Sequence, residues 1–558
     1  MVDTMANEIR AYKPRDADLS KMKVVTDPKE IADSYGLYLD DESHSFDGHA
    51  DQIVFPSTEE ELATVLKNAY GRAQQITIQG GRTGLTGGAV PLGGVALNLE
   101  KMKQLLYVSY SSEEQFYSVA AQSGMSLEDL IKAVTSKALG VLRGKGTREQ
   151  QQALEKFLAD PRSYYFPVDP TETTAWLGGL VACNASGART FRYGAVRNWV
   201  RRIKVVLVNG DVLDIERGKV FAQDRKFRVV LSNGSKIEFL VPSYSMPKTK
   251  NAAGLYTKPD MDLIDLFIGS EGILGVVTEV ELILAEMPKN IMSVMAFFPS
   301  EDDAVGFVYD ARSDSSKVRM DFLEYFGPTA LKMIREKASS AGIKVPAMTD
   351  RTQAIVFFEF PYRDEEMEEK VMALEEMLNS HNSSSESSWA GLDRTELEKM
   401  KVVRHFVPET INAIIAKRKQ EYHEVHKIGT DMAVPDQALR EYLKFYHDTL
   451  ERQGMEYVVF GHIGNNHLHV NMMPRNNEEV EQGMENYMLF ARKAVELGGT
   501  VAAEHGIGKL KRAFLEMMYG PKGISEMQAV KKALDPKWLL NPGDMVPVPR
   551  EFSQRKVQ

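Results

Sequence analysis

Gln79-Gly80-Gly81-Arg82-Thr83-Gly84-Leu85-Thr86-Gly87-Gly88-Ala89 places five glycines in eleven positions, directly after the β-prone run Ile76-Thr77-Ile78. Glycine lets successive backbone N–H groups crowd together and point one way, and such a concave row of amides holds a phosphate or pyrophosphate. The stretch is not a Walker loop, because no GK[ST] ending follows, and it is not a GxGxxG fingerprint opening a helix. Taken alone it also reads as a tight turn at a domain edge. Two further clusters weigh against that plainer reading: Gly178-Gly179-Leu180-Val181-Ala182-Cys183-Asn184-Ala185-Ser186-Gly187 and Gly269-Ser270-Glu271-Gly272-Ile273-Leu274-Gly275-Val276-Val277. Both adjoin β patterns, where a ligand can approach the backbone closely. Three such loops predict one long ligand touched in several places, on an α+β domain of short strands.

Working outward from the loop, Ser57-Thr58-Glu59-Glu60 reads as a capping box for a helix carrying Leu62, Val65, Leu66 and Ala69 on one face. Ser126-Leu127-Glu128-Asp129 starts a second capped helix. Asn209-Gly210 and Asn233-Gly234 each sit between β-patterned runs and predict tight hairpins. The second hairpin, with the Pro- and Lys-rich run after it, reads as an insertion near 217–260, and residues 140–163 read as another. Residues 1–45 carry no motif and read as an N-terminal arm. After about Pro288 apolar runs (Ile291–Phe298, Met320–Phe326, Ala354–Phe360, Tyr457–His462) alternate with charged helical runs, which predicts a second α+β domain with an antiparallel sheet. The Ser-rich segment Asn382–Ser388 reads as a mobile loop.

Composition excludes several classes. The 558-residue chain has a net charge of −10, against a nucleic-acid binder. No run approaches the length of a membrane span, and the polar N-terminus lacks the apolar core of a secretory signal. A single cysteine, Cys183, allows no internal disulfide and cannot hold an iron–sulfur cluster alone. A cytoplasmic location follows as the expectation, with peripheral membrane attachment through a partner left open.

Histidine is scarce, 11 residues in all, yet four fall in two short windows. The first is Gly461-His462-Ile463-Gly464-Asn465-Asn466-His467-Leu468-His469-Val470-Asn471, where a period of two puts His467, His469 and Asn471 on one face of a strand and the turn folds His462 back towards them. The second is Glu504-His505-Gly506-Ile507-Gly508. Two imidazoles and a carboxylate make an open site for zinc, manganese, iron or cobalt. A hydrogen-bonded polar hairpin without metal fits the same residues.

The order PSTEEEL, GGRTGLTGGAVP, FPVDP, GGLVACNASGARTFRYG, DLFIGSEGILGVVTE and LLNPGD resembles the PCMH-type FAD-binding domain of the vanillyl-alcohol oxidase superfamily. Within it the chain is most similar to the D-lactate dehydrogenase, D-2-hydroxyglutarate dehydrogenase and glycolate oxidase flavoprotein-subunit group, over residues 50 to 546 apart from the insertions. The resemblance implies a two-lobed PCMH-type domain at 46–288, a substrate or cap domain at 289–500, and a C-terminal segment, 501–558, returning to the flavin. It implies non-covalent FAD held by Gly80, Gly81, Arg82, Thr83, Gly84, Leu85, Thr86, Gly87 and Gly88 at the pyrophosphate. Pro167, Asp169, Gly178, Gly179, Asn184, Ser186 and Gly187 would hold the flavin and ribityl side; Glu271, Gly272, Gly275, Val276 and Val277 the adenosine side; Asn541 would return to the flavin.

The group's motif GHxGDGNLHxN, with a later EHGIG, implies His462, His469 and Glu504 as ligands of a divalent metal, zinc or manganese. By the same match His505 is the base, Asn471 a substrate contact and Arg404 the grip on the substrate carboxylate. The chain departs from the pattern at Asn465-Asn466-His467, where Asp-Gly-Asn is usual, and at His405, where an acid is usual. The implied activity is oxidation of a small D-2-hydroxy acid to the 2-oxo acid, by metal-assisted deprotonation and hydride transfer to flavin. The alternative is an alkyldihydroxyacetonephosphate synthase-like alkyl transfer, and a third reading is a flavoprotein that only relays electrons. The implied partners are the hydroxy acid and an external electron acceptor (a quinone, an electron-transfer flavoprotein or an iron–sulfur subunit), with a homodimer as the assembly to test and no nucleic acid.

Overall fold

Strand Ile76–Gln79 leads straight into the glycine loop and lies parallel to Val95–Asn98, which pairs in turn with Gln52–Phe55 and so with Lys23–Val25. The computed structural model describes residues 7–553 apart from 314, 341, 343, 344, 346, 347 and 393; residues 1–6 of the expected arm and 554–558 of the C-terminal segment lie outside the described residues. Beside the four-stranded sheet stands a five-stranded antiparallel sheet in the order Val212–Glu216, Val200–Val206, Val276–Ile283, Phe116–Gln122, Leu105–Ser111. These two lobes form the cofactor half. Both Asn-Gly turns form, with Gly210 at φ 87° and Gly234 at φ 84°, the left-handed conformation that glycine adopts without strain.

The second half is a seven-stranded antiparallel sheet in the order Ser388–Gly391, Asn290–Phe298, Ala354–Tyr362, Phe322–Phe326, Tyr457–His462, His467–Met472, Ile428–Gly429. Helices Glu301–Arg312, Pro328–Ser340 and Arg394–Lys419 pack on it. One buried apolar cluster runs from Val119 and Val205 in the cofactor half through Val294, Phe358 and Val459 in the cap to Val546, so the two halves share a core. Among the described residues no helix is long and apolar enough to cross a membrane.

Three expectations are refined. The helix Glu59–Arg72 is capped by Thr58, whose hydroxyl accepts from the Glu61 N–H, while Glu61 reaches back to the Ser57 N–H at 2.7 Å, so the box is shifted by one residue. Residues of the expected arm supply edge strands: Glu8–Arg10 runs parallel to Lys226–Val230 of the expected insertion, whose hairpin makes a three-stranded sheet with it. The Ser-rich segment is a hydrogen-bonded turn, with the buried Ser383 hydroxyl donating to the Phe297 carbonyl at 2.8 Å.

The C-terminal residues return to the cofactor half through Lys531, whose side chain is 1% exposed. Its ammonium donates to the carbonyls of Ile273 and Leu540 at 2.9 and 2.8 Å and pairs with the fully buried Asp535 at 3.0 Å. Breaking a buried pair leaves a charge without compensation. Lys531→Met is expected to cost about 3–5 kcal/mol of stability, read as a lowered urea midpoint of the purified protein; an unchanged midpoint would show that the pair carries no weight.

Candidate active site

The hairpin Tyr457–His462/His467–Met472 brings the histidines together through its register. His462 pairs with His467, Phe460 with His469 and Val458 with Asn471, so these side chains share one face, while Leu468, Val470 and Met472 are buried on the other. The turn closes at Asn466, at φ 53°; asparagine tolerates this left-handed conformation better than other residues with a side chain. Its side-chain amide donates to Val434 O at 3.0 Å and Asp436 Oδ1 at 2.7 Å, which fixes the turn.

Glu504 and His505 arrive on the turn that continues to Gly508. Gly506 and Gly508 have φ of 72° and 52°, and a Cβ on either would lie 2.7 Å from Glu271 Oε1 or 2.3 Å from Thr86 O. The turn therefore needs both glycines, for conformation and for space. Glu271 accepts from the N–H groups of Ile507 and Gly508, both at 2.7 Å, and Thr86 O accepts from the Lys509 N–H at 2.9 Å. The Lys509 ammonium donates to Gly87 O at 2.9 Å and pairs with Asp544 at 2.8 Å. Asn541 joins the same knot: its Oδ1 accepts from Ile78 N–H and its Nδ2 donates to Glu271 O.

His462, His467, His469 and Glu504 each offer one ligand atom, and these atoms all lie within 4.8 Å of one another. His462 Nδ1 is 2.6 Å from Glu324 Oε1, and its Nε2 faces Glu504 Oε1 at 3.4 Å. His469 Nδ1 is 3.1 Å from Thr430 O, which leaves Nε2 for the cluster. His467 Nε2 is 3.1 Å from Asp431 Oδ1, although neither of its ring nitrogens has a well-aligned hydrogen-bond partner. Burial and the neighbouring His469 push His467 down to about 3, and burial and His462 push His469 down to about 4. Burial alone would lower His462 too, but the carboxylates of Glu504 and Glu324 outweigh it and raise it to about 9. Burial opposes ionisation of Glu504, yet Lys250 and His462 hold it well below the usual carboxylate range. Three imidazoles, one of them with both ring nitrogens unpartnered, and a carboxylate form a donor set that fits a divalent cation.

His505 stacks on His469, with ring centroids 5.9 Å apart and planes 13° apart. Burial lowers its pKa against the pull of Asp431, whose Oδ2 lies 3.5 Å from its Nδ1, so the neutral imidazole is favoured. Arg404 projects from helix Arg394–Lys419 and grips Glu324 with Nε at 2.7 Å and Nη2 at 2.9 Å. The Asn471 Nδ2 is buried without a partner. His405 is exposed on the outer side of the helix, and Lys427 is exposed just before strand Ile428–Gly429.

Four residues at the site carry no signal in the sequence reading. Lys250, 2% exposed, comes from the expected insertion; it pairs with Glu504 and donates to Gly187 O at 3.2 Å. Glu324 bridges His462 and Arg404. Asp431 and Lys511 form a buried pair at 2.7 Å beneath the Glu504 turn. Glu324 and Asp431 are lone acids inside apolar runs, a pattern that marks a paired buried charge; a lysine in a Pro- and Lys-rich loop offers no such clue.

A cavity of about 320 Å³ runs from the glycine loop to this cluster. Its lining includes Gly80, Gly81, Arg82, Thr83, Gly84, Leu85, Thr86, Gly88, Gly178, Gly179, Ser186, Glu271, Gly272, Gly275, Val276, Val277, Asn541, Glu504 and His505. Gly87, Pro167, Asp169, Asn184 and Gly187 stand outside the lining. Asp169 accepts from the Arg189 N–H at 2.9 Å, Asn184 accepts from the Arg197 N–H at 3.0 Å, and Gly187 presses on the Asp169 carbonyl. A Cβ at Gly84 or Gly179 would meet nothing within 4 Å, which leaves the groove open to an extended ligand.

Comparison with known proteins identifies an FAD binding domain over residues 50–144 and 149–216, and the C-terminal domain of the FAD linked oxidases over 287–545. The chain is 26% identical to glycolate oxidase subunit GlcD of Bacillus subtilis (strain 168), over 93% of this chain and 95% of that one. It is 26% identical to D-2-hydroxyglutarate dehydrogenase of Stutzerimonas stutzeri, covering 94% and 98%, and 28% identical to probable mitochondrial D-lactate dehydrogenase of Danio rerio, covering 89% and 84%. Among solved structures, alkyldihydroxyacetonephosphate synthase superposes with a TM-score of 0.58 at 14% identity, over 95% of this chain and 88% of that one; the likeness is one of fold.

Because Gly179 faces the open groove, Gly179→Leu is expected to leave a folded protein that has lost at least half of its FAD. The ratio of flavin absorbance to protein, with circular dichroism as the folding control, checks this; full flavin content in the variant would show that FAD does not pass position 179.

Proposed function

The chain is an FAD-linked oxidase of the PCMH type by both of its domains, and on that premise we propose that it oxidises a small D-2-hydroxy acid, D-lactate-like in size, to the 2-oxo acid. The observation that carries this reading is the single cavity that begins at the FAD loops and ends on Glu504 and His505. Relatives spanning nearly the whole chain at 26–28% identity are named for hydroxy-acid oxidation, which supports the reaction class.

When bound, FAD supplies the acceptor for two electrons, and a divalent cation on His462, His469 and Glu504 supplies Lewis acidity towards the 2-hydroxyl. The residues of the chain do the rest. His505 is held neutral beside the cluster and accepts the hydroxyl proton. Arg404 offers the substrate carboxylate the donors that Glu324 leaves free, and Asn471 offers Nδ2. Lys250 holds Glu504 Oε1, the oxygen that also faces His462 Nε2, and leaves Oε2 nearest His467.

The electrons leave to an external acceptor, a quinone, an electron-transfer flavoprotein or an iron–sulfur subunit. The one thiol, Cys183, lines the cavity and is pushed up to about 12 by burial, which keeps it protonated and a poor nucleophile.

Anaerobic addition of D-lactate and related D-acids to the purified protein is expected to bleach the flavin absorbance, with L-acids inert. Chelation is expected to abolish bleaching, and a divalent metal to restore it. His505→Ala is expected to slow reduction by about a hundredfold or more while FAD stays bound. A yellow protein that no hydroxy acid bleaches would end the dehydrogenase reading and bring alkyl transfer forward; reduction of His505→Ala at the wild-type rate would remove His505 from the mechanism.

A further inference from the structure

Three imidazoles, not two, turn a nitrogen towards Glu504. Each has an oxygen on its far side: His462 Nδ1 and His469 Nδ1 are hydrogen-bonded to Glu324 and Thr430 O, and His467 Nε2 lies 3.1 Å from Asp431 Oδ1 without an aligned hydrogen bond. This is how proteins orient ligating histidines, with an outer acceptor fixing the ring and presenting the other nitrogen inward. His467 is 0% exposed, and its Nδ1 lies 3.9 Å from Glu504 Oε2 with no hydrogen-bond partner.

Glu504 is arranged to match. Its Oε1 takes the Lys250 ammonium and the Ser186 hydroxyl, the latter at 3.3 Å, while Oε2 is the oxygen nearest His467. The backbone enforces the position: His467 follows the left-handed Asn466, stands opposite His462 in the register and shares its face with His469. Nothing else in its surroundings uses Nδ1.

We propose that His467 Nδ1 is a fourth protein ligand, so that the chain presents three imidazoles and one carboxylate to a divalent cation. This rests on the metal-assisted reading above and adds to it a ligand and a metal preference. Imidazole donors favour zinc and cobalt over manganese, whose preferred partners are oxygens, so the third imidazole shifts the site towards the former. An ion that accepts six ligands keeps two positions for the hydroxyl and carboxylate of a 2-hydroxy acid.

Two measurements on the FAD-loaded protein, stripped of metal, test it. In the first, the wild-type protein is loaded with Cu²⁺ and the bound imidazoles are counted by electron spin echo modulation. Three support the proposal and two overturn it, independently of whether any variant folds. In the second, Co²⁺ is titrated into wild type and His467→Asn against a competing chelator, with flavin content as the folding control. The variant is expected to bind Co²⁺ about a hundredfold more weakly, with a changed visible spectrum and a smaller preference for Zn²⁺ over Mn²⁺. Unchanged affinity and spectrum would overturn the role of His467 alone. A wild-type protein that takes up no metal would overturn both this proposal and the metal-assisted part of the function, whereas binding through two imidazoles would leave that function standing.

Discussion

The carboxylate of Asp431 is the constraint on which the site depends. It is fully buried, and burial alone would favour its neutral form, yet His505 and Lys511 hold it well below its ordinary range. Its two oxygens accept from the N–H groups of Glu504 and His505, each at 3.1 Å, while Lys511 pairs with it at 2.7 Å and His467 faces it. A buried charge is tolerated only where it is paired and hydrogen-bonded. Meeting that demand fixes the turn carrying Glu504 and His505 against the hairpin carrying His462, His467 and His469. The same turn is pinned from the other side by Glu271 and Thr86 of the cofactor half. Cap sheet and FAD groove are therefore held in register by backbone hydrogen bonds rather than by side-chain packing alone.

The other charges follow the same logic of local pairing. Glu324 answers Arg404, Glu504 answers Lys250, and Asp431 answers Lys511. Three buried carboxylates meet three cations, and burial holds His467, His469 and His505 at depressed pKa values that favour their neutral forms. His462 is the exception, because it faces two of the carboxylates at once. Positioning thus comes from pairs outside the cluster, and the inner nitrogens are left for chemistry.

Much of this was legible in the sequence because it is written in short motifs. Glycine loops betray themselves by composition, and a period of two puts His469 and Asn471 on one face without any structure in hand. The Asn-Gly pairs marked their hairpins because few residues accept φ near 85°. What could not be read depends on contacts across hundreds of residues. Lys250 reaches Glu504 from a loop that looks like a dispensable insertion, and Glu324 reaches Arg404 from a strand that reads only as core. Pairings of that kind follow from the packing of the two halves, which no local pattern encodes. Arg404 was assigned to the substrate, and the structure adds that Glu324 already occupies two of its nitrogens, a partner invisible at a separation of eighty positions.

The groups left unpaired around the cluster point to the chemistry of the ligand. Asn471 Nδ2 is a buried donor without an acceptor, and Arg404 makes no contact through Nη1 among the described residues. The His467 ring nitrogens, one N–H and one lone pair in the neutral ring, are also without partners, while both oxygens of Glu324 and Asp431 are hydrogen-bonded and Glu504 is held through Oε1. A buried donor such as Asn471 Nδ2 calls for an acceptor on the ligand. On the proposed reading, a hydroxy acid would bring its carboxylate to Asn471 Nδ2 and to the side of Arg404 that Glu324 leaves free, and would set its hydroxyl beside His505, so these groups favour an anionic substrate before any side-chain pocket discriminates among acids of different length.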